Sequence, residues 1–201
     1  MFTPLLLALP SLPNAVTGLG AILLLAVLFA IARQVYRQRH TEWLPVVNEQ
    51  GEVQGKATRC RCHSGARLLH PVVHLHITNP QGDILLQKRG KHKHLLPGKW
   101  DTAVGGHVNA GESIENALKR ESLEELGISR LKARFLGCYT WEGERERELV
   151  YAFLCTAHDE IRVPTEEVEE TRFWSRPDIE TRANATRFTP NFLHEYALLL
   201  K

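Results

Sequence analysis

Three glutamates spaced at helical intervals are the side chains of this sequence most obviously placed to do chemistry together. Glu121, Glu124 and Glu125 stand at i, i+3 and i+4, so on a helix they share one face. An ordinary solvated acidic face could show the same three residues. Carboxylates this close repel one another, however, and a hard divalent cation with oxygen ligands would relieve that repulsion. The spacing therefore predicts a divalent-metal site.

Two further charged residues and a pair of glycines are placed to support the acidic cluster. Arg120 can reach Glu124 one helical turn away, and Glu112, just ahead of the helix, can pair with Arg120. Gly105 and Gly106 allow the incoming backbone to approach the helix closely. We expect Arg120 and Glu112 to act in catalysis together with the three glutamates.

The complete spacing between Gly106 and Ile128 is G-x5-E-x7-R-E-x2-E-E-x-G-I, and it resembles the Nudix box. At average residue frequencies, its seven fixed positions from Gly106 to Gly127 would match by chance on the order of once in a million. The resemblance implies an α/β/α sandwich with a mixed sheet, in which Glu121, Glu124 and Glu125 bind Mg²⁺ or Mn²⁺. It also implies hydrolysis of a diphosphate linkage in a small molecule, either a nucleoside diphosphate derivative or a prenyl or other diphosphate. Ser122 departs from the pattern, because an aliphatic residue is usual there.

The hydrophobic periodicity predicts an α/β domain over residues 41–201 around this box. Ser113 is a suitable N-cap and Gly127 a suitable C′ residue for the helix between them. A second helix is predicted to close the domain over residues 191–200. Period-two patterns between turn signals predict the strands, at residues 46–53, 72–77, 84–87, 100–104, 131–140, 149–157 and 171–174.

A second resemblance, from about Glu42 to the C-terminus, is to type 1 isopentenyl-diphosphate isomerase and the isomerase-like Nudix hydrolases. The residues that carry it include Pro97-Gly98-Lys99-Trp100-Asp101, Gly105-Gly106-His107 and Phe188-Thr189-Pro190. The isomerase binds a divalent metal through three histidines and two glutamates. The resemblance implies a second metal site here, with its ligands at the matching positions His63, His70, His107, Glu146 and Glu148.

Gly105 stands where the isomerase has its proton-donating cysteine. Isomerisation requires a proton to be added on one side of an alkene and removed on the other, so the missing thiol disfavours that reaction. The Nudix box, which is degenerate in the isomerase, is complete here and favours hydrolysis. An isomerase and a non-catalytic diphosphate sensor remain the alternatives, although a sensor would usually have lost one of the catalytic glutamates.

Basic residues ahead of the box suit a diphosphate. Arg89 and Lys93 match diphosphate-binding residues of the isomerase, and Arg59 matches a lysine with that role. Guanidinium groups bind phosphate oxygens in a bidentate manner. We therefore expect these three residues to bind the substrate, although a solvated basic loop would look the same.

The first 40 residues have a different character from the rest of the chain. No charged side chain occurs between Met1 and Ala32, and an apolar run covers about residues 15–32, near the shortest length that spans a bilayer. Arg33, Arg37 and Arg39 follow, which favours a single-pass anchor with the catalytic domain in the cytoplasm. A cleaved signal peptide, a buried helix and a mis-assigned start codon are the alternatives, and without an anchor we expect a cytoplasmic protein.

Composition excludes some classes of function. The net charge of +2 on 201 residues argues against a dedicated nucleic-acid binder, which would carry a basic stripe. The four cysteines do not form the framework of a small disulfide-rich protein. Cys60-Arg61-Cys62-His63 could hold zinc, but reduced and partly buried thiols are the expectation. Nothing in the sequence indicates an oligomeric state.

Overall fold

The computed structural model of the chain describes residues 22–23, 25–29, 31, 41–93, 95–156, 161, 168–184 and 186–201. The chain divides into two compact units, Met1–Thr41 and Glu42–Lys201. In the first unit, the described residues between 22 and 31 are helical, and their side chains are exposed. Much of the membrane-spanning helix predicted over residues 15–32 lies outside the described residues. Within those residues, no helix has the length and apolar character needed to cross a membrane.

The second unit consists of nine strands and four helices within the described residues. The strands are β1 (Trp43–Val47), β2 (Val53–Thr58), β3 (Leu69–Thr78), β4 (Ile84–Arg89), β5 (Trp100–Thr102), β6 (Val104–His107), β7 (Arg134–Glu142), β8 (Arg147–Thr156) and β9 (Val168–Trp174). The helices are α1 (Arg59–Cys62), α2 (Ile114–Leu126), α3 (Arg176–Arg182) and α4 (Pro190–Glu195), and a π-helical segment, Tyr196–Leu200, continues α4.

Strand β3 is the centre of a seven-stranded mixed sheet. It pairs in parallel with β8 and antiparallel with β4 and β6, and the main path of the sheet runs β5-β4-β3-β8-β7. Strand β9 pairs with β4, while β1 and β2 form a separate hairpin. The predicted α/β fold with a mixed sheet is therefore confirmed.

The two faces of the sheet bury different sets of side chains because successive residues of a strand point to opposite faces. Val73, Leu75 and Ile77 of β3 pack with Ala117 and Leu118 of α2 on one face, which we call the helix-α2 face. On the other, the helix-α4 face, apolar residues of β4, β5 and β9 pack with the C-terminal segment, and this cluster includes Ile84, Trp100, Trp174, Phe188, Phe192 and Tyr196.

Helix α2 begins and ends at the residues that the sequence indicates. The Ser113 hydroxyl accepts a hydrogen bond from the Asn116 backbone N–H at 3.2 Å, and Gly127 takes a left-handed conformation with φ 69°. Ser122, the departure from the apolar row, is fully buried. Its hydroxyl donates to the Leu118 carbonyl at 2.6 Å, so the polar group is satisfied without disturbing the helix.

Other predicted bounds differ from the structure. Strand β3 begins at Leu69, three residues before the predicted start, because His70 and Pro71 continue its parallel pairing with β8. The predicted strand at 100–104 is two short strands separated at Ala103. Helices α1 and α3 were not predicted, since four and seven residues are too short to show a helical period.

Candidate active site

The three glutamates of α2 lie on the side of the helix that meets β6. Glu125 is buried, the Glu121 side chain is 14% exposed, and the Glu124 side chain is 55% exposed. One Glu125 oxygen accepts hydrogen bonds from the Gln87 amide at 3.1 Å and from the Gly105 backbone N–H at 3.2 Å. The exposure of the three carboxylates therefore increases from Glu125, next to the sheet, through Glu121 to Glu124.

Arg120 contacts Glu112 and two of the three helix glutamates, Glu121 and Glu124, through the three nitrogen atoms of its guanidinium group. It donates to both oxygens of Glu112, at 3.0 and 2.9 Å, to Glu121 at 2.7 Å and to Glu124 at 3.2 Å. A further bond reaches the His107 carbonyl at 2.9 Å. The bonds with Glu112 are the largest cause of the raised pKa of Arg120, and they outweigh the opposing effect of burial. The pairing of Glu112 with Arg120 predicted from the sequence is present in the structure.

Gly106 is required where β6 passes α2. A Cβ atom at this position would lie 1.9 Å from the Glu121 Cδ atom, much closer than any real contact. The absence of a side chain lets the Glu121 carboxylate lie against the strand backbone. With a side chain at position 106, the Glu121 carboxylate would have to move from its place beside β6.

Burial disfavours the charged forms of the two inner carboxylates, Glu125 and Glu121. It raises the pKa of Glu125 to about 8, and the neighbouring Glu121 adds to the rise, although bonds from Gly105 and Gln87 and the charge of Lys93 oppose it. Burial also raises the pKa of Glu121, against the opposing bond from Arg120. Two buried carboxylates whose charged forms are disfavoured are the environment that a divalent cation would stabilise.

A second group of possible ligands lies on the helix-α4 face. His63, His70, His107 and Glu148 each offer one ligand atom, and these four atoms lie within 4.8 Å of one another. Their positions follow from the strands, since His70 is opposite Glu148 in the parallel pairing of β3 with β8. The Nε2 atoms of His63 and His107 are 2.8 Å apart.

Burial favours the neutral form of the His70 and His107 rings, which is the form that binds a metal, and a hydrogen bond orients the His70 ring. His70 Nδ1 is 2.9 Å from the Leu68 carbonyl, which fixes Nδ1–H as a donor and leaves Nε2 as an acceptor. That Nε2 atom is buried and has no hydrogen-bond partner in the part of the chain that the structure describes. Burial lowers the pKa of His70 and of His107, so both rings are kept neutral, as metal ligation requires.

Glu146 takes a different position from the other four residues predicted for this site. It contacts the far side of the His63 ring, with its carboxylate 2.6 Å from Nδ1, and lies outside the group of converging atoms. It stands in the turn before β8, where the Gly143 backbone N–H donates to its carbonyl at 3.1 Å. Glu146 therefore orients His63 in this arrangement.

The three basic residues predicted to bind substrate interact with acidic side chains or with the titratable groups of the two possible metal sites. Arg59 donates to Glu42 at 3.0 Å, and Arg89 donates to Asp101 at 3.0 Å and to the Leu95 carbonyl at 3.2 Å. The charge of Arg59 contributes to the lowered pKa of His107, and that of Arg89 to the lowered pKa of Glu146, where the bond with His63 is the main cause. Lys93 acts on Glu125 in the same way.

A buried ion pair that the sequence did not reveal lies beside these groups. His74 Nδ1 is 2.8 Å from Glu195 Oε2, and His76 Nε2 lies 3.1 Å from the same oxygen. Burial alone would lower the pKa of His74, but the Glu195 carboxylate outweighs it and the pKa is raised to about 9. His74 and Glu195 are 121 positions apart in the sequence. A single glutamate in an apolar helix usually lies at the surface, so its burial could not be expected from the sequence.

The zinc site that Cys60, Cys62 and His63 could have formed, which the sequence disfavours, is not assembled within the described residues. Cys60 is exposed and Cys62 is buried, and both are free thiols. His63 converges with histidines rather than with thiol groups. That these cysteines are reduced, partly buried thiols stays a prediction.

Comparisons with known proteins identify the family of the chain. A family model described as a NUDIX domain matches residues 68–196. An uncharacterised Nudix hydrolase of Escherichia coli K12, YfcD, is 33% identical over 165 residues, 82% of this chain and 90% of that protein. A Nudix hydrolase of Listeria monocytogenes, lmo0368, is 33% identical over 168 residues, 80% of this chain and 95% of that protein.

Solved structures resemble the fold as well. The crystal structure of DR0079 from Deinococcus radiodurans matches with a TM-score of 0.69 and 22% identity, over 80% of this chain and all of that chain. A MutT NUDIX hydrolase from Burkholderia pseudomallei matches with a TM-score of 0.52 and 26% identity, over 62% of this chain and 92% of that chain.

Proposed function

We propose a specific function from the premise that this chain belongs to the NUDIX domain family, whose members it matches over most of its length. As a member, it is a hydrolase that acts on a diphosphate linkage in a small molecule. The proposal is that Glu121, Glu124 and Glu125 hold Mg²⁺ or Mn²⁺ and that Arg120 and Glu112 keep these carboxylates in position. The observation that carries it is the guanidinium of Arg120, which contacts Glu112, Glu121 and Glu124 together.

The donor set fits a hard divalent cation. All three proposed ligands are carboxylates, and Gly106 leaves the Glu121 carboxylate room beside β6. A bound cation would neutralise phosphate charge and make water a better nucleophile. The raised pKa of Glu125 and Glu121 in the protein alone is consistent with a site whose charge is completed by a cation.

The protein groups then have separate roles in hydrolysis. The oxygen of water bonds to one phosphorus, the bond from that phosphorus to the bridging oxygen breaks, and the water proton passes to a glutamate of the site. The leaving phosphate takes the bridging oxygen and its electron pair. Arg89, Lys93 and Arg59 would bind the phosphate oxygens and orient the reacting phosphorus.

A second divalent cation is proposed at His63, His70, His107 and Glu148. The unpartnered Nε2 of His70 and the close Nε2 atoms of His63 and His107 support it. A set of three imidazoles and one carboxylate suits a transition metal or zinc better than magnesium. We expect His70→Gln to lower the bound metal by one equivalent in elemental analysis, and equal metal content in the two proteins would exclude this site.

The function can be tested on the full chain with a panel of diphosphates in Mg²⁺ or Mn²⁺, read by chromatography as the release of phosphate-containing cleavage products. Glu124→Gln should abolish this release, because the amide removes one anionic ligand. Glu144→Gln, at an exposed glutamate of the turn before β8, should leave it unchanged. The proposal is wrong if the wild-type chain releases no phosphate-containing cleavage product from any compound.

The isomerase-like branch of the family remains a proposal carried by the sequence resemblance alone. The same panel tests the isomerase alternative, through interconversion of isopentenyl and dimethylallyl diphosphate. We expect no interconversion, because Gly105 offers no side chain to donate a proton. Interconversion without phosphate release would replace hydrolysis by isomerisation as the function.

Attachment to a membrane through residues 15–32 is a separate proposal. It rests on the uncharged apolar sequence and on the exposed apolar side chains of the described residues between 22 and 31, such as Ile22 and Phe29. In fractionated cells the full chain should sediment with membranes and resist extraction by alkaline carbonate. A fully soluble, uncleaved chain of 201 residues would exclude the anchor.

A further inference from the structure

His63 is positioned differently from the other residues of the imidazole site, the name we give to the group of His63, His70, His107 and Glu148. The last three lie on β3, β6 and β8, which are neighbouring strands of the seven-stranded sheet, so strand pairing determines their places. His63 follows α1 in an irregular segment, residues 63–68, that leads into β3 and that we call the entry loop. The four ligand atoms therefore converge only if the entry loop is held in one position.

Hydrogen bonds join the entry loop to the turn between β7 and β8. The Gly65 backbone N–H donates to the Arg145 carbonyl at 3.0 Å. The Arg67 guanidinium donates to the Gly143 carbonyl at 2.8 Å and to the Glu142 carboxylate at 2.5 Å. Since Arg67 bonds the end of β7 and the turn after it through different nitrogen atoms, its side chain fixes both the distance and the orientation between loop and turn.

The same turn determines the orientation of His63. It carries Glu146, whose carboxylate is 2.6 Å from Nδ1 of His63. With Nδ1 occupied, the opposite ring atom Nε2 faces the site and lies 2.8 Å from Nε2 of His107. Arg67 fastens the entry loop to the turn that orients His63, so without this side chain the loop and the turn can separate. His63 would then move away from ligands that stay on the sheet.

The backbone of Arg67 takes a conformation that is unfavourable for its residue type. Its φ is 54°, in the left-handed region that residues with a side chain rarely adopt. Gly65 in the same loop has a φ of 88°, but glycine adopts a positive φ at little cost. For the backbone alone, glycine would therefore be the better residue at position 67. The bonds that the Arg67 side chain makes to the turn offset this cost.

The exposure of the ion pair between Arg67 and Glu142 indicates a local role rather than a large contribution to folding. The Arg67 side chain is 42% exposed and that of Glu142 is 53% exposed. Ion pairs as exposed as this contribute little to the free energy of unfolding. Removal of the pair should consequently change the position of the entry loop much more than the stability of the domain.

We propose that Arg67 is a positioning residue of the imidazole site, which brings His63 to the three ligands on the sheet by fastening the entry loop to the β7–β8 turn. The inference rests on the proposed second cation and adds a residue that sets the affinity for it. Arg67 is not one of the converging groups. It acts on the cation through the positions of His63 and Glu146, as residues behind the ligands of a metal site commonly do.

Arg67→Asn tests this role without changing the backbone, because asparagine tolerates a left-handed φ but is too short to reach the Gly143 carbonyl. Arg145→Asn is the matched control, since Arg145 is an exposed arginine of the same turn that contacts the entry loop through its backbone carbonyl. Arg67→Lys is the conservative variant, whose ammonium keeps the charge and can bond one of the two partners. Urea unfolding should show all three variants folded, with stability close to that of the wild-type chain.

Zinc binding to the full chain should be measured by competition with a chromophoric chelator, in excess Mg²⁺ to occupy the α2 glutamates. We expect the Kd of the imidazole site to rise about 10- to 100-fold in Arg67→Asn, less in Arg67→Lys, and by less than about twofold in Arg145→Asn. The visible spectrum of Co²⁺ bound in place of zinc should change in Arg67→Asn and not in Arg145→Asn, since it reports the atoms around the metal. A Kd and a spectrum in Arg67→Asn equal to those of the wild-type chain would overturn the inference.

Hydrogen exchange separates failure of this inference from failure of the proposed cation site. If the wild-type chain binds no zinc under these conditions, the proposed site fails, and exchange measured by mass spectrometry still tests the entry loop. Backbone amides of residues 63–68 should exchange faster in Arg67→Asn than in the wild-type chain or Arg145→Asn, while those of β3 keep their rates. Equal rates in the entry loop of Arg67→Asn and of the wild-type chain would overturn the inference.

Discussion

Arg120 has more carboxylate partners in the described part of the chain than a single charge can neutralise. It bonds bidentately to Glu112 and through the same guanidinium to Glu121 and Glu124. A lysine would keep the charge but could not reproduce this fork. We expect Arg120→Lys to lower kcat/KM by about 10- to 100-fold, the effect typical of lost support for metal ligands. Lys119→Arg, the exposed neighbour on α2, should have no effect in the same phosphate-release assay.

Glu125 makes the stability of the metal-free protein depend on pH. Its pKa is raised to about 8 in the folded chain, above its unfolded value, so its contribution is present in full at low pH. That contribution is lost progressively as the pH rises from 4.5, the ordinary value for a glutamate, to about 8, with a slope of up to about 1.4 kcal/mol per pH unit. Urea unfolding in chelator between pH 5 and 9 should show this fall, and Glu125→Gln should flatten it. An unchanged slope in the variant would contradict the assignment to Glu125.

Among individual residues, the sequence could associate only those that lie close together along the chain. Glu112, Arg120 and the three glutamates fall within fourteen positions, and helical spacing is enough to associate them. His74 and Glu195 could not be associated, since their contact depends on where α4 packs on the sheet. Glu146 was grouped with Glu148 through the resemblance to the isomerase, but it lies in the turn before β8 and contacts the outer nitrogen of His63.

Helix α2 and strand β6 form a unit whose spacing depends on Gly106. We expect Gly106→Ala to abolish activity, because a methyl group at that point would displace the Glu121 carboxylate. Gly55→Ala is the control, as a Cβ atom at Gly55 meets nothing within 4 Å. Circular dichroism should show that both variants are folded. Retained phosphate release in Gly106→Ala would mean that the position of Glu121 is not critical.

The bounds of elements were predictable where a local signal determines them. Ser113 and Gly127 bound α2 because the cap and the left-handed residue satisfy the backbone groups at its ends. The start of β3 was not predictable, because pairing with β8, a strand far along the chain, extends β3 over His70 and Pro71. The final helix changes from α to π at Tyr196, for which the residues give no signal.

For the whole molecule, a bound cation should raise the stability of folding. The α2 glutamates are assembled only in the folded chain, so a metal at 100 times its Kd should add about 2.7 kcal/mol to the free energy of unfolding. Differential scanning calorimetry with chelator and then with excess Mn²⁺ should show this as a rise in Tm. The rise should be smaller in Glu121→Gln and unchanged in Glu144→Gln.

The parallel pairing of β3 with β8 also has a consequence for how the protein folds. It joins Leu69 to Arg147 and continues for ten residues, so its partners are separated by nearly eighty positions. Closing so long a loop is slow, whereas α2, which lies within that loop, can form from local contacts. The α2 glutamates can therefore come onto one helix face early, while Glu148 meets His70 of β3 only once β8 has docked. On refolding, affinity for a cation should accordingly be acquired in two kinetic steps, the carboxylate site before the imidazole site.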